Sequence, residues 1–398
     1  MRTLCILLLL AAMRGTLPPA NAMTEDSMTV MFWNLENFYD FRDDGTGESD
    51  AEFSATGARR WTKGRFYRKC QAVAKTILWA GSAAVNDGRG IGLATGGDGG
   101  GVEAGAVPDI VGVAEVENRF VLTQVVSKTA LRKLDYEIVH FDSPDPRGID
   151  CALMYRASRL TLVSAKPCRV GTHGKEDATD EDRGAELRTR DILLAQFVTA
   201  AGDSLAVLVN HHPSKYGGGE TDWRREVAVA RLRALGDSLA AAGWVRAIAI
   251  GDFNDTPDNP LFSRLSPAFS LCRQKEVPFS GWDAAGSRLL VPLAGGADPF
   301  RENVRPAASH PEKDGEKPAK GSIRFNGEWQ LIDLCFVSPA LKDAASFSVL
   351  EPSFLTERDA AHSGDRPLRT YSGPRYLGGV SDHRPILVRI KLYSQRHR

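Results

Sequence analysis

Short apolar runs that end in a polar cluster recur along the whole chain, and they constrain its fold more than any other feature. Five of the six clusters directly follow an apolar run, and the sixth comes just before one. The six clusters are Trp33-Asn34-Leu35-Glu36-Asn37, Ala114-Glu115-Val116-Glu117-Asn118, Asn210-His211-His212-Pro213-Ser214, Gly251-Asp252-Phe253-Asn254-Asp255, Ile332-Asp333-Leu334 and Ser381-Asp382-His383-Arg384-Pro385. Polar residues at the strand ends of an apolar scaffold are where active sites are usually built. The clusters lie far apart in sequence, so they can act together only if the fold brings them to one edge of a sheet core.

The apolar patterning predicts a strand-rich α/β chain. Strands are expected at residues 28–33, 110–114, 136–141, 151–155, 191–198, 205–209, 245–250, 331–337 and 385–392. Helices are expected at residues 62–79 and 223–242, where apolar residues recur on one face. Several connections are short enough for hairpins, and the helices interleave irregularly with the strands. This pattern favours a mixed-sheet α/β sandwich over a doubly wound parallel sheet.

The N-terminus has the pattern of an export signal. Arg2 precedes an apolar stretch over residues 4–13, and Ala20-Asn21-Ala22 places small residues where a signal peptidase reads them. We expect residues 1–22 to be a signal peptide and residues 23–398 to be the mature protein, periplasmic or extracellular. The alternative, an uncleaved anchor, is disfavoured because the apolar stretch is too short to span a bilayer. No other stretch is long enough to cross a membrane.

Composition is that of an ordinary globular protein. No shift in composition marks a domain boundary, so we expect a single domain with surface insertions near residues 81–105, rich in glycine, and 295–320, rich in proline, glycine and charge. Lys+Arg and Asp+Glu balance at 50 each, which gives a formal net charge of zero. This balance argues against a protein that coats polyanions generally. It leaves room for a local basic patch.

The cysteines do not indicate a metal site. Five of them follow residue 22, an odd number that includes no Cys-x-x-Cys pair, so a zinc site is disfavoured. Cys151 and Cys335 lie inside apolar runs and are expected to be buried. One disulfide would be compatible with export, but the sequence does not identify its partners.

Two of the clusters supply candidate metal ligands. Glu115 ends an uncharged strand, and a carboxylate fixed in this way is a natural ligand for Mg²⁺. Asn34 and Glu36 stand two residues apart, so their side chains share a face if the strand continues. An amide beside a carboxylate could hold a metal-bound water and a phosphate oxygen together. Taken singly, a surface charge or an Asx turn would also explain these residues.

Two further clusters offer groups that could handle water and phosphate. Asp252 and Asn254 follow a strand and Gly251, and could orient a water and bind a phosphate, although the same residues favour a plain turn. His211 and His212 end another strand, and adjacent strand residues point to opposite faces. Only one of these imidazoles can therefore donate a hydrogen bond to a phosphate at the site.

The C-terminal cluster pairs a carboxylate with an imidazole. Such a pair suits proton transfer near neutral pH, but adjacent residues cannot easily bond side chain to side chain. Orientation of His383 therefore needs a second carboxylate, for which Asp333 at a strand end is the candidate. Asp382 would then be free for a metal or its water. Each cluster is weak evidence alone, and their combination is what predicts a shared site.

These residues resemble a known family. Trp33-Asn34-Leu35-Glu36-Asn37, Glu115, Asn210-His211, Gly251-Asp252-Phe253-Asn254, Ile332-Asp333 and Ser381-Asp382-His383 resemble the motifs of the endonuclease/exonuclease/phosphatase superfamily, in the family's order. Its members include pancreatic-type deoxyribonucleases, abasic-site endonucleases, inositol polyphosphate 5-phosphatases and neutral sphingomyelinases. The resemblance implies a DNase I-like four-layer sandwich, in which two packed mixed β-sheets are flanked by helices.

The resemblance also implies roles for individual residues. Metal binding falls to Asn34, Glu36, Glu115 and Asp382, with Mg²⁺ as the expected ion and Mn²⁺ or Ca²⁺ as substitutes. Catalysis falls to His211, Asp252, Asn254, Asp333 and His383, where His212 competes with His211 for contact with phosphate. Candidate substrate-binding residues are Arg147, Asp150, His212 and Ser214. The segment Ser143–Asp150 looks like a substrate-facing turn, in which Arg147 either binds phosphate or forms a structural salt bridge.

The function that these expectations favour is an exported, metal-dependent endonuclease that hydrolyses phosphodiester bonds in nucleic acid. The alternative is a phosphatase or phospholipase-type phosphodiesterase acting on inositol phosphate or sphingomyelin-like headgroups. A non-catalytic binding protein is a third possibility that the intact set of polar clusters disfavours. The basic and aromatic segment at residues 59–69 could follow a nucleic-acid backbone. Its simpler interpretation is a solvated helix face whose aromatic side chains point inward.

Overall fold

The computed structural model describes residues 24–45, 47–85, 107–171, 187–215, 222–275 and 321–394. The predicted signal peptide lies outside these ranges, as does the predicted insertion at 295–320. Of the predicted insertion at 81–105, residues 81–85 are described and are helical, and residues 86–105 lie outside the described ranges. No helix of the described ranges is long and apolar enough to cross a membrane.

Nineteen strands and three α-helices are described. Strands β1 to β10 are Thr24–Phe38, Ile110–Val116, Tyr136–His140, Asp150–Arg156, Leu160–Cys168, Ile192–Thr199, Ser204–His211, Ala247–Asp252, Ser270–Leu271 and Arg273–Gln274. Strands β11 to β19 are Ile323–Phe325, Glu328–Gln330, Asp333–Val337, Ala345–Val349, Thr356–Arg358, Asp365–Pro367, Tyr371–Ser372, Arg375–Tyr376 and Ile386–Ser394. Helices α1 to α3 are Lys63–Val85, Arg119–Ser127 and Asp222–Ala241.

The long strands form two mixed sheets. One has seven strands in the order β10-β14-β19-β1-β2-β4-β3, and the other has six in the order β5-β6-β7-β8-β13-β9. Within each sheet, the central pair is parallel and has an antiparallel neighbour on each side: this pair is β1 with β2 in the first sheet and β7 with β8 in the second. The edge pair β10 and β14 of the first sheet is also parallel. The remaining short strands pair as three small hairpins.

Alternation along the strands explains why the sheets pack into four layers. Val30 and Phe32 of β1 face the second sheet, where they join Val207 and Val209 of β7 in one buried cluster. The neighbouring side chain Trp33 points the other way, as a side-chain period of two requires. Full burial of such apolar side chains contributes about 1.5–3 kcal/mol each, so both faces of the central strands favour burial.

Helices cover the two outer faces. The face of α1 that carries Phe66, Cys70, Val73 and Ile77 is buried against the seven-stranded sheet, with α2 beside it. The apolar face of α3 packs on the outer side of the six-stranded sheet. The structure thus confirms the predicted four-layer sandwich of two mixed sheets flanked by helices.

The basic and aromatic segment before and within α1 serves the fold. Trp61 and Phe66 are buried in the core, and Arg65 lies over the ring of Tyr376 with 4.2 Å between guanidinium carbon and ring centroid. Lys69 is buried and donates to the carbonyl oxygen of Glu36 at 2.8 Å. The aromatic side chains therefore point inward, and the simpler interpretation of this segment is the correct one.

The cysteines of the described ranges are all buried and free. Cys151 and Cys335 lie between the two sheets, as their apolar surroundings predicted. The disulfide that export would allow is not formed in this structure.

Candidate active site

A cleft of about 490 Å³ opens at the edge where the two sheets meet. Glu115 and His383 reach it from the seven-stranded sheet, and His211 and Asp252 reach it from the six-stranded sheet. The residues that line it are Asn34, Glu36, Asn37, Glu115, Asp145, Pro146, Arg147, Leu187, Arg188, Thr189, Arg190, His211, Pro213, Ser214, Arg224, Asp252, Asn254, Asp382 and His383. Five of the six predicted polar clusters thus contribute residues to one cleft.

Strained backbone is concentrated at this cleft. Six non-glycine residues of the described ranges have a positive φ, and four of them line the cleft: Glu36, Asn37, Glu115 and Asn254. Each such conformation costs on the order of 1–3 kcal/mol and persists only where its surroundings enforce it. At Glu115, with φ 60°, the strand registers on both sides shift, which is the sign of a bulge. A bulge re-aims a side chain, and here the one re-aimed is the Glu115 carboxylate.

One oxygen of Glu115 remains open toward the cleft. Oε2 accepts the backbone N–H of Asn37 at 2.7 Å. Within the described ranges, the closest ionic partners of Oε1 are Arg147 Nη1 and His211 Nε2, each 3.8 Å away. The carboxylate is therefore held in place by one oxygen while the other can take a ligand.

A chain of buried polar groups crosses from one sheet to the other. The Asn34 amide donates to Asp252 Oδ2 at 3.0 Å, and the same oxygen lies 3.8 Å from His383 Nε2. On its far side, His383 Nδ1 lies 2.8 Å from Asp333 Oδ2. Asp333 does not line the cleft but stands directly behind the imidazole. The predicted partnership of Asp333 with His383 is present in the structure.

Burial and charge set the protonation of this chain. Burial raises the pKa of Asp252 to about 7, with Asp333 adding to the shift and His383 opposing it. Burial by itself lowers the pKa of His383, but the carboxylates of Asp333 and Asp252 outweigh it and raise that pKa well above the ordinary histidine value. Near neutral pH, Asp252 can therefore both take up and release a proton, while His383 favours its protonated form.

The two adjacent histidines take different places. His211 lines the cleft, with Nε2 3.7 Å from Asp252 Oδ2, and its burial lowers its pKa, helped by the charge of Arg190. The ring of His212 packs on Phe253, with 4.7 Å between centroids, and does not line the cleft. His211 is thus the neutral imidazole available at the site. The prediction of His212 as a substrate contact is wrong, because strand alternation turns its ring toward the outer core.

Glu36 and Asp382 are joined by an arginine. Arg369 Nη2 lies 2.9 Å from Glu36 Oε1 and donates to Asp382 Oδ2 at 2.9 Å. Glu36 also accepts the backbone N–H of Thr370 at 2.8 Å, and burial raises its pKa to about 8. Both predicted metal-site carboxylates line the cleft, but each already has a cationic partner there.

The predicted substrate-facing turn splits into two parts. Arg147 lines the cleft, while Asp150 faces away from it, 3.0 Å from His140 Nε2 and accepting the backbone N–H of Ser143 at 2.8 Å. The prediction of Asp150 as a substrate contact is therefore wrong, since its carboxylate is buried in closing the turn. Ser214, the remaining predicted contact, does line the cleft.

Sequence reasoning found Arg147 but missed the other three arginines that line the cleft. Arg190 donates to Asp145 Oδ2 at 2.9 Å and to the carbonyl oxygen of His212 at 2.7 Å. That carbonyl also accepts the side-chain amide of Asn254 at 2.9 Å. Arg188 lines the cleft beside Arg190, and Arg224 reaches it from the first turn of α3. The sequence did contain a signal for Arg188 and Arg190, because both lie in a polar run directly before strand β6, and the same pattern identified His383.

The donor set of the cleft fits a hard divalent cation. Such ions take carboxylate and amide oxygens, and the cleft offers Glu115 Oε1 together with the second lone pair of Asn34 Oδ1, whose first accepts the backbone N–H of Glu36 at 3.0 Å. Asp252, Asp333 and His383 also place ligand atoms within 4.8 Å of one another. Because His383 Nδ1 is engaged with Asp333, that second group is better suited to moving a proton. Burial raises the pKa values of Asp252 and Glu36, and a bound cation would favour their ionised forms.

Comparison with solved structures finds distant similarity. An endonuclease/exonuclease/phosphatase family protein from Bacteroides thetaiotaomicron is 13% identical, with 94% of this chain and 100% of that chain covered and a TM-score of 0.47. The human Nocturnin catalytic domain with bound sulfate is 16% identical, with 95% of this chain and 100% of that chain covered and a TM-score of 0.48. A mannosyl-6-phosphatase from Bacteroides thetaiotaomicron is 13% identical, with 92% of this chain and 100% of that chain covered and a TM-score of 0.48.

Comparison with curated proteins finds no match. The family model described as "Endonuclease/Exonuclease/phosphatase family" matches residues 29–277 and 315–392, which include every cluster described above. On this match, the chain belongs to the endonuclease/exonuclease/phosphatase family of phosphoesterases.

Proposed function

We propose that this protein is an exported, metal-dependent phosphodiesterase that cleaves nucleic acid by in-line attack of a water molecule. One observation carries the proposal: Asn34, Glu115 and Asp252 from three strands of the two sheets meet His383, from the segment before β19, in one cleft. Buried carboxylates brought together in this way are costly for folding. Chemistry that uses them is the simplest reason for their convergence.

Glu115 and Asn34 are the residues that we expect to hold the cation, with Asp382 nearby. Mg²⁺ is the ion we propose, since it takes one or two carboxylates and retains much of its water, and Mn²⁺ or Ca²⁺ could replace it. When bound, the cation would polarise the phosphoryl oxygen and stabilise the leaving oxyanion.

Asp252 is placed to orient the attacking water. Its Oδ2 accepts the Asn34 amide at 3.0 Å and its Oδ1 accepts the backbone N–H of Asn254 at 2.9 Å, so the carboxylate cannot rotate freely. A pKa of about 7 suits a general base near neutral pH. His383, held by Asp333, presents Nε2 toward the same carboxylate and can exchange a proton with it.

Negative charge on the phosphoryl oxygens needs hydrogen-bond donors. Asn254 uses one amide hydrogen on the carbonyl of His212 and has a second for the substrate. Neutral His211 can donate from Nε2. Preorganised donors of this kind stabilise charge as it develops in the transition state.

Nucleic acid is the substrate that we favour, because arginines line the cleft of a chain whose formal net charge is zero. A phosphorylated headgroup of the inositol phosphate or sphingomyelin type is the alternative. The site itself would serve either ester, and export follows only from the pattern of residues 1–22.

The test is a metal-dependent activity screen of the mature protein. Plasmid DNA, RNA, inositol phosphates and sphingomyelin would each be incubated with Mg²⁺, Mn²⁺, Ca²⁺ or EDTA. We expect nicking of plasmid with Mg²⁺, none with EDTA, and a loss of at least about a hundredfold in Asp252→Asn. Release of phosphate or headgroup without any nicking would favour the alternative substrate. Equal hydrolysis by Asp252→Asn would contradict the proposed chemistry.

A further inference from the structure

The order of the strands gives the cleft two chemically different ends. In the six-stranded sheet, β13 and β8 bring Asp333 and Asp252, β7 brings His211, and β6 follows on the far side. In the facing sheet, β19 brings His383 to the first end, and β4 lies at the second. Catalytic candidates thus occupy one end, and the segments that enter β4 and β6 form the other.

Arginines are gathered at that second end. Arg147 lies three residues before β4, and Arg188 lies four residues before β6. Arg224 joins them from α3, whose first turn is tied to the loop after β7 by the hydrogen bond from Arg225 to the carbonyl oxygen of Ser214, 3.2 Å long. All three arginines line the cleft.

These arginines are available to a ligand. Arg188 and Arg224 are exposed, and within the described ranges neither forms a salt bridge with a carboxylate. Arg147 has only long approaches, 3.6 Å to Asp145 and 3.8 Å to Glu115. The charge of Asp145 is instead taken up by buried Arg190, whose Nη1 lies 2.9 Å away. The fold therefore neutralises Asp145 and leaves three guanidinium groups that line the cleft.

We infer that Arg147, Arg188 and Arg224 form a subsite for a second phosphate, next to the phosphate that is cleaved. Resting on the proposed function, this assignment makes the enzyme selective for substrates in which another phosphate flanks the scissile ester. Guanidinium groups bind phosphate through paired, charge-assisted hydrogen bonds.

The spacing of the strands is compatible with this substrate. Neighbouring strands lie about 4.8 Å apart, so β6 is about 10 Å from β8, which carries Asp252. An extended nucleic-acid strand places flanking phosphates within such a reach. A bisphosphorylated headgroup offers the same chemistry in a smaller molecule, and the strand is favoured because three arginines spread over three segments suit an extended ligand.

The experiment compares substrates that differ only in the flanking phosphate. The dinucleotide TpT has one phosphodiester and the trinucleotide TpTpT has two, while inositol mono- and bisphosphate form the small-molecule arm. We expect wild-type kcat/KM to be at least about tenfold higher for TpTpT than for TpT. The double variant Arg188→Gln/Arg224→Gln should lower this TpTpT-to-TpT ratio about tenfold, by raising KM for TpTpT. The slope of log kcat/KM against log salt for TpTpT should also become shallower by about 0.7 for each lost phosphate contact.

Arg358→Gln is the matched control, because Arg358 is exposed and does not line the cleft. It should leave the ratio and the salt slope as in the wild type. An unchanged ratio in the double variant, with an unchanged thermal midpoint, would overturn the subsite. A preference seen only with inositol bisphosphate would support the subsite and overturn the nucleic-acid strand as its ligand. Failure of the wild type to hydrolyse these esters and every substrate of the activity screen would instead reject the proposed function, and the subsite with it.

Discussion

His383 is positioned by contacts on both of its ring nitrogens. Nδ1 lies 2.8 Å from Asp333 Oδ2, and Nε2 lies 3.8 Å from Asp252 Oδ2. Asp333 is itself fixed, since its backbone N–H donates to Ser322 Oγ at 3.1 Å. Because the imidazole is buried, it can change orientation only if this set of contacts breaks.

The variant Asp333→Asn tests this arrangement. The amide nearly preserves the shape of the side chain but removes the charge that favours a protonated His383 and selects its tautomer. We expect kcat to fall by about 10²- to 10⁴-fold with little change in KM. Steady-state kinetics on the best substrate of the activity screen would measure it, with Asp258→Asn, an exposed acid outside the cleft, as the control. Full activity in Asp333→Asn would show that His383 does not depend on its partner.

The two histidines show what a single residue's sequence context can and cannot predict. Alternation predicts that only one of His211 and His212 faces the site, and this is what the structure contains. It cannot say which, because both faces of β7 are apolar: Val207 and Val209 face the other sheet, and Leu208 faces α3. His211 continues the first series into the cleft. Which of the two histidines faces the cleft is decided only by the position of the second sheet.

At the scale of elements, the close approach of β7 and β8 places Asp252 beside His211. The backbone N–H of His212 donates to the carbonyl oxygen of Asp252 at 2.9 Å. A Cβ atom at Gly251 would lie 2.2 Å from the carbonyl oxygen of Asn210, far inside van der Waals contact. Glycine at this position therefore allows the two strands to bring their polar ends together.

Gly251→Ala should force the two strands apart. We expect a loss of stability of about 1–3 kcal/mol and a fall in kcat of about tenfold to hundredfold, since a small misplacement of a catalytic group is costly. Urea unfolding and steady-state kinetics would measure the two effects. Gly64→Ala is the control, because a Cβ there would meet only Thr62 Oγ1 at 3.9 Å. Equal behaviour of the two variants would contradict the packing argument.

Elements with a strong apolar pattern were predictable from sequence, and weakly patterned ones, including the nine-residue and largely exposed edge strand β5, were not. Helices α1 and α3 and the central strands carry uninterrupted apolar faces that need no partner to be recognised. Helix α2 has nine residues, too few for a helical period to stand out from its run of apolar residues. Strand β14 has five residues and exists through its pairing with β19, about forty residues later in the chain. Contacts this distant leave no local signal.

The site could be predicted in part for a similar reason. Residues at the ends of strongly apolar strands, such as Glu115 and Asp252, stand out by contrast with their neighbours. Arg369 does not, because it lies among short hairpins, and only the fold brings it to Glu36 and Asp382. From sequence alone, Glu36 and Asp382 therefore looked like metal ligands, and their shared ion pair with Arg369 could not be foreseen.

For the whole molecule, the buried acids of the cleft link stability to pH and to metal. The folded-state pKa of Asp252 is raised from 3.8 to about 7, and that of Glu36 from 4.5 to about 8, chiefly by burial. A carboxyl group whose pKa is raised on folding stabilises the folded state below its unfolded pKa, and this contribution is lost as pH rises through the folded value. A bound cation favours the ionised form and offsets the loss.

Mg²⁺ should therefore stabilise the protein more at pH 8 than at pH 5.5. The increase in Tm between EDTA and saturating Mg²⁺ would be measured by differential scanning fluorimetry at both values, since binding to the folded state alone raises Tm. Glu115→Gln should reduce the increase at pH 8. An increase that is equal at both values, or larger at pH 5.5, would contradict the assignment of these acids to a cation-dependent cleft.

The most direct test of the account is the location of a bound metal. Crystals of the mature protein soaked in Mn²⁺ would be measured at a wavelength where manganese scatters anomalously. We predict one dominant anomalous peak in the cleft, within coordination distance of Glu115 and close to Asn34. A peak at any other acidic cluster, with none beside Glu115, would show that the side chains gathered between the two sheets do not serve a metal.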